Sequence, residues 1–129
     1  MKYLANAFAL SMLPEGAKNW ATFETISKEK VSKMLSDGGF QSAIGHQDTA
    51  RVLENLLRLD IPVERISLSL KDDDKLIVAQ YIGPRLPEGA TSLPEGAEIK
   101  FFEISVWGLE KQLENERRDW DAARSNCLT

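Results

Sequence analysis

The sequence predicts a single small domain of the α/β (α+β) class. The chain has 129 residues, a length typical of one domain, and 43% of them are hydrophobic, enough to build one buried core. Short apolar segments with strand-like patterns and segments with helical spacing follow one another along the chain. A domain in which strands and helices pack together is therefore expected.

The overall charge narrows the partners that the protein is expected to bind. The net charge is −4 and the sequence pI is about 5.1, which argues against non-specific binding to long nucleic acid. A small anionic ligand in a local basic pocket remains compatible with this balance. No apolar run approaches the length of a membrane span, and Asn6 and Ser11 interrupt the apolar N-terminus, so neither a membrane span nor a signal peptide is predicted.

The cysteine content indicates the redox compartment. Cys127 is the single cysteine, so no internal disulfide can form, and without a Cys/His cluster no zinc site is predicted. A reducing cytoplasm is therefore expected.

The first part of the chain contains two predicted strands and a predicted helix. Residues 2–8, KYLANAF, are apolar on both faces, as in a central strand, and a loop follows. WATFETIS, residues 20–27, alternates enough for a second strand. Residues 27–39, SKEKVSKMLSDGG, place their apolar side chains on one helical face, and Gly38-Gly39 is expected to end this helix.

A clearer helix is predicted directly after His46, the only histidine. Its broad apolar stripe consists of Val52, Leu53, Leu56 and Leu57. Asp48 and Thr49 suit the first turn or the cap position of this helix.

The second half begins with a hairpin predicted over residues 65–82. Apolar and polar residues alternate in RISLSLK, which predicts a strand. KDDDK then predicts a polar turn, and LIVAQYI predicts an apolar returning strand. IKFFEISV, residues 99–106, predicts one more strand.

From Trp107 the pattern predicts a charged helix with a narrow apolar stripe that docks on the body of the domain or on a partner subunit. Residues 1–106 are thus predicted to form the domain and residues 107–129 a helical extension.

The five residues LPEGA occur three times, at 13–17, 86–90 and 93–97. Five residues are too few for a repeat unit, and the spacing of the copies is irregular. Proline presets φ and glycine accepts a positive φ, so each copy is predicted to be a turn. Only the copy at 86–90 follows an arginine, Arg85.

Five side chains are candidates for chemistry, and each has a simpler interpretation. His46 precedes a helix, where a histidine is more often a cap or a surface residue than a functional group. Arg85 and Glu88 share a loop rich in Gly and Pro, where they could form only a local ion pair. Ser11 could cap a turn, and Arg65 could lay its aliphatic stem along a strand end. Residue type and spacing leave these alternatives open.

Taken together, the same residues suit the cleavage of a phosphodiester. The helix N-terminus after Gly45 offers unpaired backbone N–H groups and positive potential to a phosphate. His46 could act as a general acid near neutral pH, Arg85 could neutralise phosphate charge, and Glu88 could orient or deprotonate a hydroxyl. Cleavage of RNA without a metal needs only an activated 2′-hydroxyl, charge stabilisation and an acid for the departing 5′-oxygen.

Four segments in order resemble one known family. They are YLANAFALSML near the N-terminus, IGHQDTARVLENLL in the middle, then PRLPEGATSLPEGAEIKFF, and the closing FFEISV. Together they resemble the viral anti-CRISPR ring nucleases of type III systems, a family also found as cellular domains. The resemblance covers residues 2 to about 106 and leaves out the chain from Trp107 onward.

The resemblance implies a fold, a dimer and an activity. Such proteins have a central mixed β-sheet flanked by helices and work as two-fold symmetric dimers. They bind cyclic tetra-adenylate, the second messenger with which type III CRISPR systems activate defence nucleases. They cleave it without a metal or other cofactor to linear di-adenylates that carry a 2′,3′-cyclic phosphate. The expected partners are therefore this small cyclic RNA and a second copy of the chain, and the expected location is the cytoplasm, that of the host if the protein is viral.

The resemblance also implies roles for individual residues. The catalytic positions are His46 and Glu88, with the role of Glu88 as base or as a positioning group left open. The predicted ligand-binding positions are Asn6, Ser11, Gly45, Thr49, Arg65 and Arg85. Gln47 and Asp48 depart from relatives that carry small hydroxyl residues here. Because an aspartate repels phosphate, no ligand contact is expected from position 48.

Three functions stay open on the sequence. The first is a ring nuclease that destroys cyclic tetra-adenylate. The second is a protein that sequesters the same ring without cutting it, which would need the arginines but neither His46 nor Glu88. The third is a protein-interaction domain that acts through the C-terminal helix.

Overall fold

The structure, a computed structural model, describes residues 1–16 and 18–127. These residues form five strands and three α-helices, namely β1 Lys2–Ala5, β2 Asn19–Ile26, α1 Lys28–Leu35, β3 Phe40–Ser42, α2 Gln47–Leu57, β4 Lys75–Ile82, β5 Glu98–Gly108 and α3 Leu109–Cys127. A short 3-10 turn covers Leu10–Met12. The Cys127 side chain, on which the disulfide and redox predictions rest, lies outside what the structure describes, and so do the last two residues of the predicted extension.

The strands form one mixed sheet in the order β2-β5-β4-β1-β3. β1 runs parallel to both β3 and β4, whereas β5 runs antiparallel to β4 and to β2. Parallel neighbours require long crossover connections, and those of this sheet contain α1 and α2. The predicted α/β class and the central mixed sheet are confirmed.

The core lies on both faces of the sheet, because successive side chains of a strand point to opposite faces. On one face Leu4 and Ile77 pack against α1 and α2, whose fully buried side chains include Val31, Leu35 and Leu53. On the other face the strands are covered by irregular segments, and the buried residues there are Ala5, Leu68, Leu70, Leu76, Val78, Ile104 and Val106.

The two predicted inner helices are confirmed, with a difference at one end. The Ser27 hydroxyl caps α1 by accepting from the Lys30 amide at 3.1 Å. α1 ends at Leu35, before the predicted glycine pair, because Ser36 caps it and the Asp37 carboxylate accepts from the Gly39 amide at 2.9 Å. This side-chain bond favours a turn over a further helical turn.

The predicted hairpin over residues 65–82 is wrong in its first strand. β4 forms as expected, but residues 65–71 belong to no strand because both edges of β4 are occupied, one by β1 and the other by β5. The alternation in this segment still buries Leu68 and Leu70, while Ile66 is exposed. The Leu70 amide donates to the Met12 carbonyl at 2.8 Å, so the segment is tied to the N-terminal loop rather than to the sheet.

Three further differences concern strand and loop ends. β1 ends at Ala5 rather than at residue 8, the predicted loop before β2 contains the 3-10 turn, and the three-residue strand β3 has no counterpart in the prediction. β2 and β5 form where expected, with β5 extending to Gly108. No helix within the described ranges is long and apolar enough to cross a membrane.

The C-terminal helix begins where β5 ends. Lys111 forms an ion pair with Asp73 in the turn before β4, and the Trp107 indole donates to the Gln112 side chain at 2.8 Å. The hydrogen bond with Lys111 holds the pKa of Asp73 below its usual value and raises the pKa of Lys111. These contacts attach the first turns of α3 to the domain.

Candidate functional site

The candidate site lies at one edge of the sheet. The carboxyl ends of the parallel strands β1, β3 and β4 meet there, and open α/β sheets place ligands at this edge. Asn6 directly follows β1, His46 follows β3 after a short connection, and Arg85 lies in the loop after β4. Residues that are far apart in the chain therefore come together through the strand order.

His46 is the N-cap of α2. Its backbone is extended, and its imidazole Nδ1 accepts from the Asp48 amide at 3.2 Å. A nitrogen that accepts a hydrogen bond carries no proton, so in this conformation the ring hydrogen is on Nε2. The cap interpretation of His46 is thus seen in the structure, and Nε2 remains available to a ligand.

The connection before His46 is held by hydrogen bonds on both sides. The Ile44 amide donates to the Ser42 hydroxyl at 3.2 Å, and Arg65 Nε donates to the Gly45 carbonyl at 2.9 Å. A Cβ at Gly45 would lie 3.1 Å from Arg65 Cγ, so glycine permits this close approach. Gly45 and Arg65 therefore help to fix the position of His46, whatever contact they make with a ligand.

The loop of residues 83–97 carries Arg85 and Glu88. It begins at Gly83, whose φ of +145° and 2.8 Å separation between an added Cβ and the Ala97 Cα both require glycine. The LPEGA copies at 86–90 and 93–97 are turns as predicted, each closed by an alanine amide that donates to the proline carbonyl at 3.1 Å. The copy at 13–17 ends at residue 17, outside the described residues.

Two side chains of α2 hold this loop against the helix. The Gly89 amide donates to the Asp48 carboxylate at 3.0 Å, and Asn55 donates to the Thr91 carbonyl. Positions 48 and 55 are seven residues apart and thus lie on the same helix face. Asp48, the residue for which no ligand contact was expected, has a defined role here because it anchors the loop beside His46.

These elements enclose a cleft of about 740 Å³. Its lining residues are His46, Asp48, Thr49, Arg85, Leu86, Pro87 and Glu88. Four of the predicted site residues, His46, Thr49, Arg85 and Glu88, thus share one cleft. Among the ion pairs of residues 1–16 and 18–127, none joins Arg85 to Glu88, so the simpler interpretation of this pair is not seen.

A second cavity of about 390 Å³ adjoins the cleft and shares Thr49 and Leu86 with it. Its polar groups include the predicted Asn6 and also Gln80, and its other walls are Val52, Ala79, Tyr81 and Ile99. Gln80 and Tyr81 are not among the site residues predicted from the sequence. The only signal for Gln80 was a polar residue inside the apolar strand LIVAQYI.

Three predicted ligand-binding residues, Ser11, Gly45 and Arg65, line neither the cleft nor the adjoining cavity. Ser11 is exposed in the 3-10 turn of Leu10–Met12, and Arg65 is exposed beside Gly45. Across the described ranges, no three His, Cys, Asp or Glu side chains lie close enough to hold a metal ion.

Removing the Asp48 carboxylate is expected to release the loop. Asp48→Ala deletes the acceptor for the Gly89 amide, and losing an exposed bond to a charged group costs about 1 kcal/mol, or about fivefold in the opening equilibrium. Amide hydrogen exchange at Gly89 should accelerate by about that factor. Asp48→Asn retains a side-chain oxygen and should stay near the wild-type rate. Unchanged exchange in Asp48→Ala would contradict the role given to this carboxylate.

The fold and the cleft together define a small mixed-sheet α/β domain with a polar, histidine-containing cleft at the carboxyl ends of its parallel strands. The chain belongs to the STIV B116-like family, whose model matches residues 2–106. It is 30% identical over 110 residues to uncharacterized protein 26 of Sulfolobus islandicus filamentous virus, covering 85% of this chain and 91% of the relative. It is 26% identical to protein ORF116 of Acidianus filamentous virus 1, covering 81% and 94%.

A solved structure extends the comparison to the fold. B116 of Sulfolobus turreted icosahedral virus matches with a TM-score of 0.67 and 26% identity, covering 81% of this chain and 97% of B116. The relatives are thus proteins of archaeal viruses, which agrees with the viral members of the family that the motifs resemble. The family match ends at residue 106, so α3 lies beyond it.

Proposed function

We propose that this protein is a metal-independent ring nuclease that binds cyclic tetra-adenylate and switches off type III CRISPR signalling. Its products would be linear di-adenylates with a 2′,3′-cyclic phosphate. The observation that carries the proposal is the cleft in which His46, Arg85 and Glu88 meet at the N-terminus of α2. The motif resemblance to viral ring nucleases and the membership in a family of archaeal viral proteins support it.

The proposed reaction is an internal transesterification. The 2′-oxygen of one adenosine attacks the adjacent phosphorus, the new O2′–P bond forms and the P–O5′ bond breaks. Glu88 accepts the 2′-hydroxyl proton, or orients the hydroxyl while a solvent water accepts that proton, and His46 gives a proton to the departing 5′-oxygen. Arg85 neutralises the charge that builds on the phosphate oxygens. No water is consumed in this step.

The cap contact of His46 bears on its role as an acid. An imidazole that protonates a leaving group carries protons on both nitrogens, whereas Nδ1 now accepts from the Asp48 amide. To give up a proton in the proposed step, His46 would therefore have to leave this cap contact. A phosphate bound at the N-terminus of α2 would then accept from the freed Asp48 amide.

The cavity beside the cleft suits an adenine base. Asn and Gln side chains pair with the N6 and N7 edge of adenine, and apolar walls accommodate its faces. Asn6 and Gln80 supply such amides next to Val52, Leu86 and Tyr81. A nucleotide with its phosphate at His46 would then have its base in this cavity.

The proposed assembly is a two-fold dimer around the ring. Two identical clefts related by a two-fold axis would present the same groups to opposite phosphates of a four-membered ring. One histidine per chain is then enough for two cuts. Arg85 of both copies would offset part of the four negative charges of the ligand despite the acidic composition of the chain.

The proposal is tested by incubating the protein with cyclic tetra-adenylate in EDTA. Binding is followed by calorimetry and products by mass spectrometry, and the expected result is tight binding with linear di-adenylate formed. Arg85→Ala should weaken binding about 10- to 100-fold, since charge-assisted bonds to phosphate are lost. Arg118→Ala, the same change on α3, is the matched control and should bind as the wild type does.

Two other outcomes would replace the proposal. Tight binding without cleavage would support the sequestering function, in which the arginines suffice. No binding would contradict both and direct attention to the C-terminal helix.

A further inference from the structure

α3, which lies beyond the family match, projects from the domain after its first turns. Residues 111, 112 and 115 of its first turns are half-buried, but every residue from Glu116 to Arg124 is exposed. An isolated helical segment of this length is marginal in water, since helix nucleation is costly. The projecting segment thus gains little stability from its own domain.

The projecting helix carries an uncovered apolar stripe. Leu109, Leu113 and Trp120 are spaced four and seven residues apart and lie on one face. They are 52%, 52% and 70% exposed. The half-buried residues Lys111 and Gln112 contact the domain from a different face, so the stripe points away from it. An exposed tryptophan within such a stripe is typical of an interaction surface.

The charges along α3 identify the partner that fits this stripe. Residues 109–116 contain three acidic residues and one basic residue, whereas residues 117–124 contain three basic residues and two acidic ones. An antiparallel second copy of the helix would lay the acidic half on the basic half, while a parallel copy would oppose like charges.

We propose that α3 forms an antiparallel two-helix interface with α3 of a second copy of this chain. A two-fold axis between Glu116 and Arg117 places Leu113 against Trp120 of the second copy, and Glu116 against Arg117 of the second copy. The contact is isologous, so each pairing occurs twice. Covering the stripe in this way buries both tryptophans and stabilises the projecting turns.

This interface is separate from the dimer proposed around the ring. β5 begins beside the carboxyl end of β4, where the cleft lies, and runs to the opposite end of the strands. Its 11 residues span about 35 Å. α3 starts at that far end. Pairing through α3 therefore leaves both clefts open. The α3 interface can exist together with the dimer proposed around the ring.

The test measures molar mass in solution by light scattering for the full chain. Trp120→Glu places a charge in the stripe and should lower the mass at least by half. Arg118→Glu changes charge on the opposite helix face and should leave the mass unchanged. A wild-type mass that Trp120→Glu does not lower, including a wild-type monomer, would overturn the proposal.

Charge reversal tests the antiparallel arrangement. Glu116→Arg and Arg117→Glu should each lower the mass, because like charges then face each other across the axis. An equimolar mixture of the two variants should restore it, since each chain now complements the other. If the mixture stays dissociated, the antiparallel arrangement is wrong. Cleavage of cyclic tetra-adenylate by these variants reports separately on the proposed function.

Discussion

His46→Ala is expected to abolish most of the cleavage of cyclic tetra-adenylate while leaving ring binding largely intact. A positioned general acid contributes about 10²- to 10⁴-fold to a rate, so the single-turnover cleavage rate should fall by that range. Arg85 and the α2 N-terminus remain in the cleft and retain phosphate affinity. The measurement is single-turnover cleavage with saturating protein, together with binding at equilibrium.

A second substitution separates the proposed role of His46 as a general acid from its role as the N-cap of α2. His46 Nδ1 accepts from the Asp48 amide, so alanine also removes a cap, which costs about 1 kcal/mol of stability. His46→Asn retains a side-chain acceptor that suits an N-cap but cannot act as an acid. We expect it to be as inactive as alanine and as stable as the wild type. Cleavage restored by asparagine would show that the histidine serves only as a cap.

Leu53→Ala is expected to lower the free energy of unfolding by about 2–5 kcal/mol. Leu53 is 0% exposed and packs in the core between α2 and the sheet, so truncation leaves a cavity that its neighbours only partly fill. Folded domains are stable by only about 5–15 kcal/mol, so a large part of the total would be lost. Urea unfolding followed by circular dichroism measures the change.

Leu10→Ala is the matched control for this prediction. Leu10 is 78% exposed in the 3-10 turn, so the same truncation removes few contacts and should shift the unfolding free energy by about 0.5 kcal/mol or less. Equal effects at the two positions would mean that the core is not organised around α2 as described.

Helices with a strong apolar stripe could be predicted from the sequence because their pattern is local. The stripe of α2 and the Ser27 cap of α1 each depend on residues within a few positions of one another. The glycine turns in loop 83–97 are local in the same way, and two of the three LPEGA copies are seen as turns.

Pairing of strands could not be predicted in this way. β3 is three residues long and exists because it pairs with β1, about forty positions earlier in the chain. Residues 65–71 alternate as well as any strand, yet β1 and β5 occupy the positions beside β4. Which segments share an edge depends on the competition among all strands, and no local pattern records that competition.

The same distinction between local patterns and distant contacts applies to the candidate site. The sequence predicts most of the helices and strands, the turn chemistry and, through motif resemblance, the set that includes His46, Arg85 and Glu88. The packed fold is needed to see that these side chains share a cleft, that Gln80 and Tyr81 adjoin it, and that Asp48 holds Gly89 at a separation of 41 positions. Helices and turns are stabilised by contacts between near neighbours, whereas a cleft is formed by contacts that exist only after distant segments have packed.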